Sequence, residues 1–184
     1  MRGMGRRVAT AVAALALAAL IILAFGYLRG KRATHVRPGQ DAPDATLQSV
    51  EGGPGRLREN LGAATVVVFF HSRWEMMPRY AEVLERLYRK YQRRGLRMIG
   101  ICLDDSRDDA RAFIQKQAIT FTVFHDPGGR ASRDGWGVPS GPESYLLDRS
   151  GRVVATFPEP VNWMRDDRRS QVEALLPSPP PGAW

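Results

Sequence analysis

The chain has 184 residues, of which 43% are hydrophobic and 9% aromatic, and its formal net charge is +8. This size and composition predict one globular domain with appended segments. Because Cys102 is the only cysteine, an intramolecular disulfide, a cysteine zinc cage and a resolving cysteine pair within one chain are all excluded.

Most of the positive charge lies near the N-terminus. Residues 1–37 hold seven of the 27 basic residues and no acidic residue, which leaves 20 basic against 19 acidic residues in the remainder. In the remainder, bases and acids are interleaved, as at Glu82, Glu85, Arg86 and Arg89. This pattern does not indicate a surface that follows phosphates, and we expect no nucleic-acid partner.

The N-terminal segment, residues 1–32, contains an apolar run long enough to cross a membrane. Residues 8–28 would form a helix of roughly 31 Å, close to the roughly 30 Å thickness of the hydrocarbon layer. A cleaved signal peptide is the alternative, but its apolar region is usually only about 7 to 15 residues long. We therefore predict a single-pass anchor with an extracytoplasmic C-terminal domain. This orientation is a hypothesis, because basic residues lie on both sides of the run and do not favour one orientation.

The apolar patterning then predicts the domain organisation. Residues 33–43 form a polar linker, residues 39–176 the domain, and residues 177–184 a proline-rich tail. Within the domain, an apolar strand is expected at residues 65–70 and a long amphipathic helix at about 76–94. A second apolar strand at 98–103 leads into a helix with an acidic start at 104–109.

The second half of the domain predicts strands and one short helix. The strands lie at residues 121–124, 144–147 and 153–157, and the last two are joined by a hairpin turn at 149–151. A short helix at about 166–176 closes the domain. The fold class is therefore α/β, with a mixed, mostly parallel sheet flanked by helices and an antiparallel hairpin at its edge.

Several segments together resemble the TlpA-type thioredoxin-like proteins, a redoxin group. They occur in the order typical of that group and cover residues 39–176; the segments are 39–43, 66–70, 84–91, 95–100, 136–142 and 145–151. The resemblance implies a thioredoxin-like fold and an exported, often membrane-tethered domain. It also implies a Trp-Cys-x-x-Cys motif at the start of the long helix, with a cis-proline facing it.

The positions of this redox motif contain no thiol. Trp74 matches the tryptophan and Glu75 takes the place of the nucleophile, while the second cysteine falls near Met77 or Pro78. The resemblance places the cis-proline at Pro142. Because a carboxylate cannot form a mixed disulfide, Glu75 cannot replace the thiolate, and the chain resembles a degenerate member of the family.

Glu75 and Trp74 each have two interpretations. Glu75 places an anion at the positive end of the following helix, or it faces a ligand. Trp74 is either a remnant of the redox site or an anchor for a bound peptide.

Cys102 lies within the predicted strand 98–103, where a cysteine acts as a small hydrophobic residue and burial raises its pKa. We therefore predict a structural role. The alternative is a thiol-dependent oxidoreductase or peroxidase that uses Cys102 with an external thiol.

A copper site is a third hypothesis. His71, Met76 and Met77, with His125 if the fold brings it near, offer the imidazole and thioether ligands that suit Cu(I). Paired methionines at a helix start more often serve packing, so we predict no metal and no cofactor. His35, in the linker, is expected to be solvated.

The leading hypothesis is a membrane-anchored thioredoxin-like domain that has lost dithiol chemistry and binds a polypeptide. Its binding surface would comprise Trp74, Glu75, Gly141, Pro142 and Glu143. In the fold that the chain resembles, backbone next to the cis-proline pairs with an extended peptide.

Overall fold

The computed structural model describes residues 35–178. The predicted anchor at residues 8–28 and the end of the predicted tail lie outside these residues. Within residues 35–178, no helix is both long and apolar enough to cross a membrane.

The domain is built on one sheet of seven strands, with the order β2-β1-β5-β4-β3-β6-β7. The strands are β1 (Thr46–Ser49), β2 (Pro54–Arg56), β3 (Ala64–Phe70), β4 (Leu96–Cys102), β5 (Thr122–His125), β6 (Glu143–Asp148) and β7 (Val153–Phe157). Strands β3, β4 and β5 are parallel, whereas β6 and β7 on one side and β1 and β2 on the other are antiparallel. The sheet is therefore mixed, as the sequence predicts.

Residues 35–178 form three α-helices: α1 (Met77–Tyr91), α2 (Arg107–Lys116) and α3 (Asp166–Glu173). Pro78 is tolerated in the first turn of α1, where no intrahelical N–H is required. The predicted helix continues past α1 as a 3₁₀ turn, Gln92–Arg94, and ends where Gly95 adopts φ 97°. The α2 helix begins only at Arg107, because Ser106 caps it by accepting a hydrogen bond from the Asp109 amide at 3.2 Å.

The apolar run of β3 is explained by burial on both faces of the sheet. All seven of its residues are buried, and alternate side chains enter two different clusters. Val66, Val68 and Phe70 pack with residues of the three α-helices. Val67 and Phe69 pack on the other face, beneath the short helical turns Leu57–Asn60 and Ser132–Trp136.

Part of the predicted linker is attached to the domain. Gly39 donates a backbone hydrogen bond to Val153 at 2.8 Å, and Val153 donates to Gln40 at the same distance. Val36 and Ala42 are buried in the cluster that contains Val67 and Phe69. The polar composition of residues 33–43 does not predict that this segment packs on the domain, because the hydrogen bonds are made mainly by its backbone.

Gly141 lies too close to β3 for a side chain. A Cβ atom there would stand 2.4 Å from the Phe69 carbonyl oxygen and 2.8 Å from its carbonyl carbon. Because both atoms are backbone, we expect Gly141→Ala to move the loop before β6 and to lower the free energy of unfolding by about 1 to 3 kcal/mol. Urea denaturation followed by circular dichroism measures this loss.

The matched control for this prediction is Gly135→Ala. Its Cβ would meet only the Pro43 side chain, at 3.3 Å, so we expect the smaller loss of stability. Equal stability of Gly141→Ala and the parent chain would contradict the close approach.

Candidate functional site

The turn that carries the redox-motif positions connects β3 to α1. Trp74 donates a backbone hydrogen bond to His71 at 3.2 Å, and Met77 donates to Trp74 at 2.9 Å, so the turn is held by its own backbone. The Trp74 ring is half-buried and packs against the core cluster on the helical side. The turn is therefore ordered by packing, without any thiol.

Glu75 lies immediately before the N-cap of α1. The N-cap residue is Met76, and no side chain caps this helix by a hydrogen bond. Glu75 is exposed and forms no hydrogen bond with residues 35–178. Its carboxylate is near the positive end of the helix, yet it remains free to meet a ligand.

The predicted copper ligands are not brought together. Met76 is 48% exposed, whereas Met77 is fully buried in the core, so the two thioethers face different environments. His125 is buried, and its Nε2 donates to the Asp104 backbone oxygen at 2.7 Å. Among residues 35–178, no three His, Cys, Asp or Glu side chains form a group suited to a metal. Met76 is the N-cap residue of α1 and Met77 its first helical residue, and the burial of Met77 removes its thioether from a site that faces solvent.

The loop before β6 lies across the cleft from Trp74. The Gly141–Pro142 peptide bond is cis, at the position where the sequence resemblance places the family's cis-proline. Glu143 begins β6, and its Cα pairs with that of Phe69 in the antiparallel ladder with β3. The register of β6 thus sets Pro142 and Glu143 beside the end of the strand that leads to Trp74.

Two clefts meet at Trp74. The first, of about 330 Å³, lies on the Pro142 side and includes Trp74, Gly141, Pro142 and Glu143 in its lining. The second, of about 380 Å³, lies on the α1 side, and its lining residues are Trp74, Met76, Arg79, Tyr80, Val83, Pro160, Val161 and Asn162. We call them the proline-side cleft and the helix-side cleft. Trp74 and Pro160 belong to both, so the two clefts adjoin.

Glu143 is a buried acid at the edge of the proline-side cleft. It is 8% exposed, and its Oε1 accepts hydrogen bonds from the Tyr145 hydroxyl at 2.5 Å and from His35 Nδ1 at 3.2 Å. Burial, with the adjacent Glu143 carboxylate, raises the pKa of Tyr145, so this hydroxyl remains a donor. His35, which the sequence predicts to be solvated, has a 57% exposed side chain that is nevertheless bound to Glu143.

Asp104 is buried beneath the Trp74 turn. The sequence predicts it as surface charge at the start of a helix, but it is 5% exposed and lies in the loop between β4 and α2. Its Oδ1 accepts from the Ser72 amide at 3.0 Å and from His71 Nδ1 at 3.2 Å. Its position directly after a parallel strand is the signal that could have indicated this role, because such ends meet at one edge of the sheet.

Cys102 ends β4 and is fully buried. Burial is the main reason that the pKa of its thiol rises from the usual 9.0 to about 12. The negative charge of Asp104 adds to the rise, while the backbone amides of Asp104 and Ser72 oppose it. The only thiol of the chain is therefore both inaccessible and protonated in the folded domain.

The AhpC/TSA family model matches residues 38–156, which is more than half of the chain. The chain belongs to the AhpC/TSA family. A chloroplastic peroxiredoxin Q of Sedum lineare is 32% identical over 132 residues, which are 66% of this chain and 69% of that protein. The thiol-disulfide oxidoreductase ResA of Bacillus thuringiensis subsp. konkukian is 25% identical over 116 residues, covering 63% of this chain and 66% of the relative.

Other chloroplastic peroxiredoxin Q relatives are matched over 63% and 60% of their length, so these relatives extend beyond the matched segment. Among solved structures, a protein of Chlorobium tepidum named as the thiol:disulfide interchange protein DsbE superposes with a TM-score of 0.69 at 26% identity. It covers 76% of this chain and 98% of that one. The predicted redoxin relationship and the thioredoxin-like fold are thereby confirmed.

In this AhpC/TSA domain we expect Cys102 to resist thiol reagents. At about pH 8 the raised pKa lowers the thiolate fraction about a thousandfold, and burial blocks access as well. Labelling with a maleimide, followed by mass spectrometry, should leave the native chain unmodified and modify it fully in guanidinium chloride. Native labelling at the rate of free cysteine would contradict the buried position.

Proposed function

We propose that this chain is a redoxin-fold binding module that recognises a polypeptide without thiol-disulfide exchange. One observation carries the proposal. Two clefts adjoin at Trp74, whereas the only thiol, Cys102, is 0% exposed and lies outside their linings.

The argument against disulfide exchange is chemical. Exchange requires a thiolate that attacks a disulfide sulfur, and the attacking thiol reacts best when its pKa is near the ambient pH. Cys102, with a pKa of about 12, has a thiolate fraction of roughly 10⁻⁵ at neutral pH. Glu75 supplies charge at the former nucleophile position but no sulfur.

The argument for polypeptide binding is geometric. An extended peptide needs an apolar platform and an adjacent backbone edge, and Trp74 and the loop at Gly141 and Pro142 line the same cleft. Tryptophan is also among the side chains that are enriched at the energetic hot spots of protein interfaces. The helix-side cleft extends this platform along α1 through Met76 and Val83.

Thiol chemistry through Cys102 is the rival proposal. The names of the relatives, peroxiredoxin Q and thiol-disulfide oxidoreductase ResA, favour it. It requires a local opening that exposes the end of β4, and an external thiol to complete the cycle. The burial of Cys102 favours the binding proposal over this rival.

We further propose that residues 8–28 anchor the chain in a membrane, with the domain on the extracytoplasmic side. The proposal depends on the length of the apolar run and on the absence of acidic residues from the flanking basic segments.

Binding is tested with a probe that is unfolded and has no free thiol: the insulin B chain, reduced and S-carboxymethylated. We expect the full chain in detergent to bind it, and Trp74→Ala to weaken the affinity at least about tenfold because the anchor is lost. Fluorescence anisotropy of labelled B chain measures the affinity.

Val154→Ala is the matched control, since Val154 is an exposed hydrophobic residue outside both clefts. Unchanged binding by Trp74→Ala would contradict the site. Dithiol-dependent reduction of intact insulin that disappears in Cys102→Ser would overturn the proposal in favour of the rival.

The anchor is tested by membrane fractionation. We expect the full chain to remain in the membrane pellet after extraction with alkaline carbonate, because a spanning helix is not released by removing charge contacts. Deletion of residues 8–28 should release the domain into the soluble fraction. A chain of full length in the soluble fraction would contradict the anchor, and a chain shortened at its N-terminus would identify a cleaved signal peptide instead.

A further inference from the structure

The proline-side cleft has an unusual charge for this chain. Outside residues 1–37 the chain has 20 basic and 19 acidic residues and is nearly neutral, whereas the cleft lining contains Glu143 and Glu159 and neither a lysine nor an arginine. His35 is the only basic residue in the lining. The helix-side cleft has the opposite character, since Arg79 lines it and no acid does.

Glu143 is the acid that is built into the fold. Its burial leaves 8% of the residue exposed, and Oε1 is fixed by the Tyr145 hydroxyl. No donor among residues 35–178 reaches Oε2, and this atom is not sealed from solvent. An oxygen that meets solvent and has no donor among residues 35–178 can accept a hydrogen bond from a ligand at the cleft wall.

The structure also indicates which kind of donor fits. His35 already places the ring nitrogen of a basic residue on Oε1, at 3.2 Å. This contact shows that the edge of the cleft admits a nitrogen donor from a segment without helix or strand structure, residues 35–37. The remaining oxygen offers the same chemistry to a second donor.

We propose that the proline-side cleft selects a polypeptide segment with a basic side chain, which donates to Glu143 Oε2 while neighbouring apolar residues lie on Trp74. This inference rests on the proposed function and specifies its ligand. Glu159, which is exposed at the same cleft, adds long-range attraction. An arginine is the favoured side chain because its planar fork can engage a carboxylate through two parallel donors.

The test compares two synthetic peptides that differ in charge only. One is acetyl-Ala-Ala-Leu-Arg-Ala-Ala-amide, and the other has citrulline, a neutral isostere, in place of arginine. Titration calorimetry with the full chain should give an affinity at least about tenfold higher for the arginine peptide. The difference should shrink as salt is added.

Glu143→Gln should abolish the preference for arginine, since it removes the charge while keeping the shape and the acceptor for Tyr145. Glu82→Gln is the matched control, because this exposed acid on α1 lines neither cleft. It should retain the preference. Circular dichroism verifies that each variant is folded, and the peptide comparison on the parent chain needs no variant.

Three results would overturn the inference: equal affinity for the two peptides, a preference that survives Glu143→Gln, or a preference that disappears only in Glu159→Gln. If any of these results is found while Trp74→Ala still weakens binding of the S-carboxymethylated B chain, the proposal of polypeptide binding stands without the preference for a basic side chain. If neither peptide nor the B chain binds, the proposed function fails as well.

Discussion

The pairing of β3 with both of its neighbours is the constraint on which the site depends. Towards β4, Phe70 pairs with Cys102, which pairs in turn with His125 of β5. Towards β6, Phe69 pairs with Glu143. These pairs lie in two adjacent rows at the carboxyl end of the parallel strands, which is where α/β sheets place their ligands. The same register that builds the core therefore determines which side chains stand near Trp74.

The row that contains Phe70, Cys102 and His125 also explains why the only thiol is buried. Cys102 is covered by the core cluster on the helical side, so its small apolar volume contributes to packing while its sulfur is removed from solvent. Asp104, two residues later, is buried as well, but it is held by the Ser72 amide and His71. Its negative charge further disfavours a thiolate next to it. The Asp104 carboxylate that stabilises the Trp74 turn therefore also disfavours ionisation of the Cys102 thiol.

Local patterns in the sequence predict the elements of this fold well. The apolar run of β3, the amphipathic spacing of α1 and the turn between β6 and β7 are properties of neighbouring residues, and all three are observed. The TlpA-type resemblance further indicated where the loop at Pro142 faces the helix start. These features depend on spacing along the chain or on similarity to a family.

Features that depend on tertiary register were not predictable in the same way. The buried position of Asp104, the docking of Gly39 and Gln40 along β7, and the contact of His35 with Glu143 each join residues distant in sequence. Polar composition indicated exposure at all of them. The fold overrides that expectation because backbone groups and distant side chains bind these residues, and neither appears in a one-dimensional pattern. Asp104 is bound through Oδ1 only, since its buried Oδ2 has no hydrogen-bond partner among residues 35–178.

The cleft can persist without thiol chemistry because its walls do not depend on the missing cysteines. Trp74 is held by packing, and the close approach of Gly141 to the Phe69 backbone fixes the opposite wall. Behind that wall, Phe69, Trp136 and Tyr145 form an edge-to-face cluster, with the last two ring centroids 4.8 Å apart. The Tyr145 hydroxyl also donates a hydrogen bond to Glu143, so the aromatic cluster is joined directly to the acidic edge of the cleft. The residues around Trp74 therefore form a shaped surface with an acidic edge, although no thiol lines it.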